Sequence, residues 1–345
     1  MELPRHAEIW LQPYLIDRLM KGVRPKPPKR VWVTIADHFE PYRATTDDEL
    51  ARARVRPWRQ RWPEIALRHP DSTGRPAQYS FFYPQEEYRA ELLDSIAEMV
   101  QAGLGDVEIH IHHDSGGPQG GGQQEFLDRM QGFIEVLRER HELLRQHQGK
   151  TVFGFIHGNW ALDNSLPGGR ACGLNNEISL LRELGCYADF TMPCGPHHAQ
   201  ARTLNTIYWA TDDPDRPKSY DYGEPVREGK FGSGDLLMIP GPLGLRWNGR
   251  LLPNLEIGEL AWRNGPSPAR IERWLHLAPR IGSELFLKLF THGAWENNTG
   301  ELLDGGLEKL FSGLTDASRR HQFELRYATA WEMRQAVERA CLSKN

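Results

Sequence analysis

The sequence predicts an α/β fold: a distorted (β/α) barrel of seven to eight parallel strands with helical crossovers and long loop insertions. Three observations carry this expectation. Short β-type runs alternate with helical periodicity along most of the chain, and polar, chemistry-bearing residues gather where the apolar runs stop. A length of 345 residues also suits one large α/β barrel without subdivision, so a single domain over 1–345 is expected. No Gly-x-Gly-x-x-Gly follows the first strand, which argues against an open dinucleotide-binding sheet.

Residues 1–30 read as an N-terminal helical extension that ends in the stiff Val-Arg-Pro-Lys-Pro-Pro connector at 23–28. Strands are expected at 31–36, 77–83, 107–112, 151–157, 187–192, 235–240 and 285–291, with a weaker one at 323–327. The clearest helical patterns are 86–101, 124–147, 175–184 and 329–341, as in the spacing of Phe126, Met130, Phe133, Ile134 and Leu137. Asn175 with Glu177 marks a helix start and Gly185 a stop. Residues 195–232 form a long insertion whose Tyr208, Trp209, Tyr220 and Tyr222 argue for order.

Bulk composition narrows the partners. Lys+Arg 42 against Asp+Glu 46, with no basic block, excludes a phosphate-backbone footprint, so no nucleic acid is expected. Cys172, Cys186, Cys194 and Cys341 contain no Cys-x-x-Cys pair and read as reduced thiols. The N-terminus lacks a leader pattern and no apolar run reaches about 18 residues, so no membrane span and a cytoplasmic location are expected.

Residues 107–114, Val-Glu-Ile-His-Ile-His-His-Asp, hold the densest set of metal-ligand side chains in the chain. Alternation across a strand places His110 and His112 on one face, with Asp114 just beyond the strand end and His113 directed the other way. Other strand ends deliver Asp37, His38 and Glu40, then His157, Asn159 and Trp160, then Asp189, and finally His292. In a parallel barrel these ends share one rim, where the chemistry sits.

These motifs resemble those of the polysaccharide deacetylase superfamily, the carbohydrate esterase family 4 and its relatives. Thr34-Ile35-Ala36-Asp37 stands at the place of its Thr-Phe-Asp-Asp motif, and Glu108-Ile109-His110-Ile111-His112-His113-Asp114 resembles its metal-binding histidine motif. Phe155-Ile156-His157-Gly158-Asn159-Trp160 leads to Leu184-Gly185-Cys186-Tyr187-Ala188-Asp189 where the family has Arg-x-Pro and then Leu-Gly-Tyr-x-Tyr-Asp, and Phe286–His292 matches the late strand ending in His. The match runs from about residue 31 to 292. Two departures stand out: Ala36 takes the place of the catalytic aspartate, and the His-x-x-x-His spacing is absent.

The resemblance implies a distorted barrel holding one divalent metal, and a hydrolase that removes an N-acyl group, most simply N-acetyl, from an amino sugar of a polysaccharide, glycan or glycolipid precursor. The expected ligands of the ion, zinc on the histidine content, are Asp37, His110, His112 and Asp114. His292 is the expected general acid, with His38, Glu40 or a non-ligating member of the 110–114 cluster as base, and Asp189 or His157 fixing the His292 tautomer or binding substrate. Asn159 and Trp160, with aromatics of 208–222, are the expected sugar-binding wall. Two other classes fit the same residues: a metal-dependent amidohydrolase or phosphoesterase, and a catalytically silent carbohydrate-binding barrel.

Overall fold

A computed structural model describes residues 3–22, 27–113, 122–247 and 253–343. Eight strands run in the same direction or pair with those that do: β1 (Arg30–His38), β2 (Tyr79–Pro84), β3 (Gly105–Ile111), β4 (Lys150–His157), β5 (Cys186–Asp189), β6 (Leu236–Met238), β7 (Glu284–Thr291) and β8 (Glu324–Tyr327). All seven pairings among them are parallel, in the order β7-β1-β2-β3-β4-β5-β6. The eighth strand pairs with β1 at Arg30–Val33, whereas β2 meets β1 higher up at Ala36–His38. The edge of β1 is therefore shared, and β1 and β2 splay apart at their starts.

The ladder stays open among the described residues, so the expected closed barrel reduces to a mostly parallel sheet. Both edges that would have to meet carry other partners. The insertion supplies Tyr208–Ala210, which lies antiparallel to β6, and Arg280–Ile281 lies antiparallel to β7. Further up, Leu260 donates its N–H to the Phe290 carbonyl at 2.8 Å, and Gly258 accepts from Phe290 at 3.1 Å.

Strand alternation sorts the core into two layers. Val31, Val33, Ile35, Ile109, Ile111, Phe153 and Phe155 pack outward with helices, and Ala36, Phe82, Ile156, Ala188 and Phe286 pack inward. Helix α8 (Ala330–Leu342) covers the inward layer with Met333, Ala336 and Val337. A capping box starts that helix, Thr329 accepting from Glu332 N–H while the Glu332 carboxylate takes the Thr329 N–H.

The other helices of eight or more described residues, in chain order before α8, are α1 (Ala7–Lys21), α2 (Asp48–Arg68), α3 (Ala90–Gln101), α4 (Gln123–Glu135), α5 (Glu177–Leu184), α6 (Pro268–Leu277) and α7 (Leu307–His321). Sequence periodicity understates α2. Pro57 and Pro63 and a run of arginines mask a face whose Ala51, Val55, Trp58, Trp62 and Ile65 are all buried. It overstates α4, which ends in a π-helical turn over Val136–Arg140. Arg145–His147 then pairs back on β4 through a two-residue turn in which Gln148 and Gly149 both take positive φ, 51° and 78°.

The 195–232 insertion is structured, as expected, and two of its aromatics serve the core while Tyr222 is exposed. Tyr208 and Tyr220 are buried and donate their hydroxyls to the carbonyls of Tyr220 and Ala199, each at 2.6 Å. No described helix is long and apolar enough to cross a membrane, and all four cysteines are free thiols.

Candidate metal centre

Strand β1 ends at His38 and β3 at Ile111, both at the carboxyl end of the sheet, and the inward side chains at those ends converge. His38 and His110 point inward with ring centroids 5.2 Å apart, His112 follows 4.7 Å from His110, and His292 comes from beyond β7 to within 4.7 Å of His38. Glu40 sits among them. Its Oε1 lies 3.3 Å from His110 Nε2, 3.9 Å from His112 Nε2 and 4.0 Å from His292 Nε2.

The loop carrying Glu40 is clasped by buried Arg54 of α2, which donates to the carbonyls of Pro41 (2.7 Å) and Arg43 (2.9 Å) and to Glu296 (2.9 Å). Arg43 in turn pairs with Glu40 at 3.1 Å.

His38, Glu40 and His110 each offer one ligand atom within 4.8 Å of the other two, and all three residues are buried. His110 Nδ1 meets the Ile156 carbonyl at 2.9 Å, which assigns the proton to Nδ1 and leaves an Nε2 lone pair aimed inward. His38 Nε2 is buried with no hydrogen-bond partner, and burial, with the neighbouring histidines, holds its pKa well below the usual range. Burial raises Glu40, but the surrounding histidines outweigh it and hold the carboxyl well below its ordinary value. Two imidazoles and one carboxylate form a donor set that fits a divalent cation. Ligands on one tetrahedral zinc stand about 3.3 Å apart given Zn–N of about 2.0 Å, close to the His110–Glu40 spacing.

The cluster opens into a cavity of 310 Å³ lined by His38, Glu40, Tyr42, Arg43, Glu87, His112, Asn159, Trp160 and His292, among others. His112 is its half-exposed histidine, and its Nδ1 makes a very short contact with Glu86, whose carboxylate also accepts the His112 N–H. Arg129 of α4 donates to the His112 carbonyl at 3.1 Å and fixes the turn. Gly158 gives this imidazole its room, since a Cβ there would lie 2.3 Å from the ring. Asn159 and Trp160 follow with φ of 53° and 54°, a backbone strained for any residue with a side chain, and Trp160 stands edge-on to His292 at 6.4 Å.

Several expected roles change. Asp37 is not brought into the cluster, because alternation turns it outward. Its carboxylate accepts from Gly293 N–H at 2.6 Å and from the Tyr79 hydroxyl at 2.9 Å, a latch between β1, β2 and the turn after β7. Asp37→Ala therefore leaves two buried donors unsatisfied and should cost roughly 2–5 kcal/mol in denaturant unfolding. The same variant should keep its metal stoichiometry by elemental analysis.

Asp189 is also outside the cavity, bound to Thr191 N–H and hydroxyl at 2.9 and 2.6 Å. His157 turns to the outer layer, away from His38 and His110. Burial pushes the His292 imidazole down to about 4, against the opposing pull of Glu40. Asp114 lies outside the described residues. Of the expected aromatics of 208–222, none lines the cavity.

Three residues escaped sequence reasoning. Glu86 and Glu87 directly follow β2 at the same rim, so the strand-end rule that found the others would have found them. Lys288 lies within an apolar strand, inward-facing beside Thr34 in register. Its Nζ is buried without a hydrogen-bond partner. Burial lowers its pKa to about 7, against the opposing pull of Asp189 and Cys194. The folded state thus binds fewer protons than the unfolded chain between pH 7 and about 10.5, so this residue makes stability rise with pH across that window. Lys288→Met should raise the thermal midpoint at pH 6 and remove that rise, as read by melting curves from pH 6 to 10.

No family model matches the sequence, and the curated proteins contain no match to it.

Proposed function

We propose that the chain is a metal-dependent hydrolase that removes an N-acyl group, most simply N-acetyl, from an amino sugar. The observation that carries the reading is the buried His38–Glu40–His110 donor set at the floor of a cavity that holds a further, partly exposed histidine oriented by a carboxylate. Two histidines and a glutamate with an open side are the ligand chemistry of zinc hydrolases. When bound, a zinc-class ion supplies polarisation of the acyl carbonyl and acidifies a water at neutral pH.

The protein's own groups do the rest. His112 accepts the proton of the attacking water at Nε2 while Glu86 holds its Nδ1–H, and the same Nε2 returns the proton to the departing amine. His112 Nε2 and His292 Nε2 flank Glu40 Oε1 at nearly equal distances, 3.9 and 4.0 Å, so the reacting group sits between them. Trp160 offers an apolar edge to a sugar ring, and Arg43 and Asn159 offer donors to its hydroxyls. Glu40 and His112 together take over the work of the aspartate that Ala36 replaces. With this reading goes the view of the open sheet as the interrupted, distorted barrel of the deacetylase type.

Release of free amine and acetate from N-acetylglucosamine oligomers by the zinc-loaded protein, with a chelated control, tests it. Metal-dependent release is the expected result. Hydrolysis of phosphate esters without amine release would assign the site to phosphoesterase chemistry, and inactivity on both with metal bound would favour the silent binding barrel.

A further inference from the structure

On the outer side of the sheet, away from the cavity, a second group of donors is enclosed by protein. His113 lies two residues past the end of β3, His157 ends β4, and Glu177 opens α5; their exposures are 2 %, 0 % and 0 %. Glu177 Oε1 stands 3.2 Å from His157 Nε2 and 3.5 Å from His113 Nε2, and the two imidazoles stack at 5.3 Å with 26° between their planes. His157 Nδ1 meets the Gly158 carbonyl at 2.6 Å, and His113 bonds to the Cys172 backbone. His157 Nδ1 is thereby engaged, and the Nε2 atoms of both imidazoles face the carboxylate.

His113 Nε2, His157 Nε2 and Glu177 Oε1 are all buried without hydrogen-bond geometry to any partner, although each offers a ligand atom within 4.8 Å of the other two. Three lone-pair atoms held this close in a dry interior repel one another unless a cation lies between them. A proton on His157 Nε2 serves Glu177 alone and leaves His113 Nε2 facing the imidazole. A single metal ion serves all three.

We infer that His113, His157 and Glu177 hold a second, structural divalent cation of the zinc class, separate from the cavity site. The separations of 3.2 and 3.5 Å match the roughly 3.3 Å between ligands of one tetrahedral zinc. Cys172 Sγ lies 3.4 Å from the other Glu177 oxygen, Oε2, and stands beside the set as a further donor. That oxygen also accepts the Asp163 N–H at 2.7 Å.

The ion therefore ties the ends of β3 and β4 to the start of α5 and to the segment between them. In that segment Asn159, Trp160, Asp163 and Asn164 all take positive φ, between 52° and 54°. A metal ion held by three buried side chains is a physical reason for this strained backbone to persist while it presents Asn159 and Trp160 to the cavity. The inference does not depend on the reaction proposed for the cavity.

Metal stoichiometry tests it. The wild-type protein, loaded with zinc and desalted, should carry two equivalents, one removed rapidly by EDTA and one retained until the protein unfolds. Glu177→Gln should carry one equivalent, the rapidly removed one; His110→Ala should carry only the retained one. A wild-type protein with a single equivalent that disappears in His110→Ala would overturn the inference, as would a Glu177→Gln variant with both. Should Glu177→Gln fail to fold, zinc-edge anomalous scattering from the wild-type crystal decides: a peak between the three side chains supports the second ion, and its absence from a zinc-loaded crystal refutes it.

Discussion

His110→Ala should abolish turnover and weaken metal binding at the cavity by more than about 100-fold, because it removes a ligand where loss of a supporting partner alone costs 10–100-fold. The imidazole is fully buried, its Nδ1 is fixed by the Ile156 carbonyl, and its Nε2 is 3.3 Å from Glu40. Elemental analysis alongside amine release reads both effects. Full metal occupancy at the cavity in the folded variant would show that His110 only supports the sheet.

The second large effect falls on proton transfer. His112→Ala should lower turnover by roughly 10²–10⁴-fold with metal retained, the range expected when a general base is removed. Glu86→Gln, which keeps the shape but loses the charge against Nδ1, should lower it by about 10–100-fold. The two losses should not add in the double variant, since both act through one imidazole. If His112→Ala instead released the cavity metal as completely as His110→Ala, His112 would be a ligand, and the base would have to be sought elsewhere along the rim.

Particular residues explain what the sequence revealed. His110 and His112 were legible because strand alternation is strict: two histidines two residues apart on a β run must share a face. Asp37 and His38 are governed by the same rule, which separates them. The sequence does not state which face is inward, and it is His38, not Asp37, that faces His110. Glu40 and His292 were found because they follow strands that end at the same rim.

What the sequence withheld depended on tertiary placement. Glu177 was read as a helix start, which it is, yet its approach to His113 and His157 depends on α5 packing over the ends of β3 and β4. The open ladder was likewise invisible, because it follows from Tyr208–Ala210 taking the free edge of β6. Lys288 lies in an apolar strand, and only its inward register shows how costly its burial is.

The most direct test of the account is a zinc-edge anomalous difference map of the zinc-loaded protein. The account predicts a peak at the cavity floor about 2.0–2.2 Å from His38 Nε2, Glu40 Oε1 and His110 Nε2, absent from His110→Ala crystals grown in the same metal. A loaded wild-type crystal with no density at that point, or with the ion bound through Asp37, would contradict it.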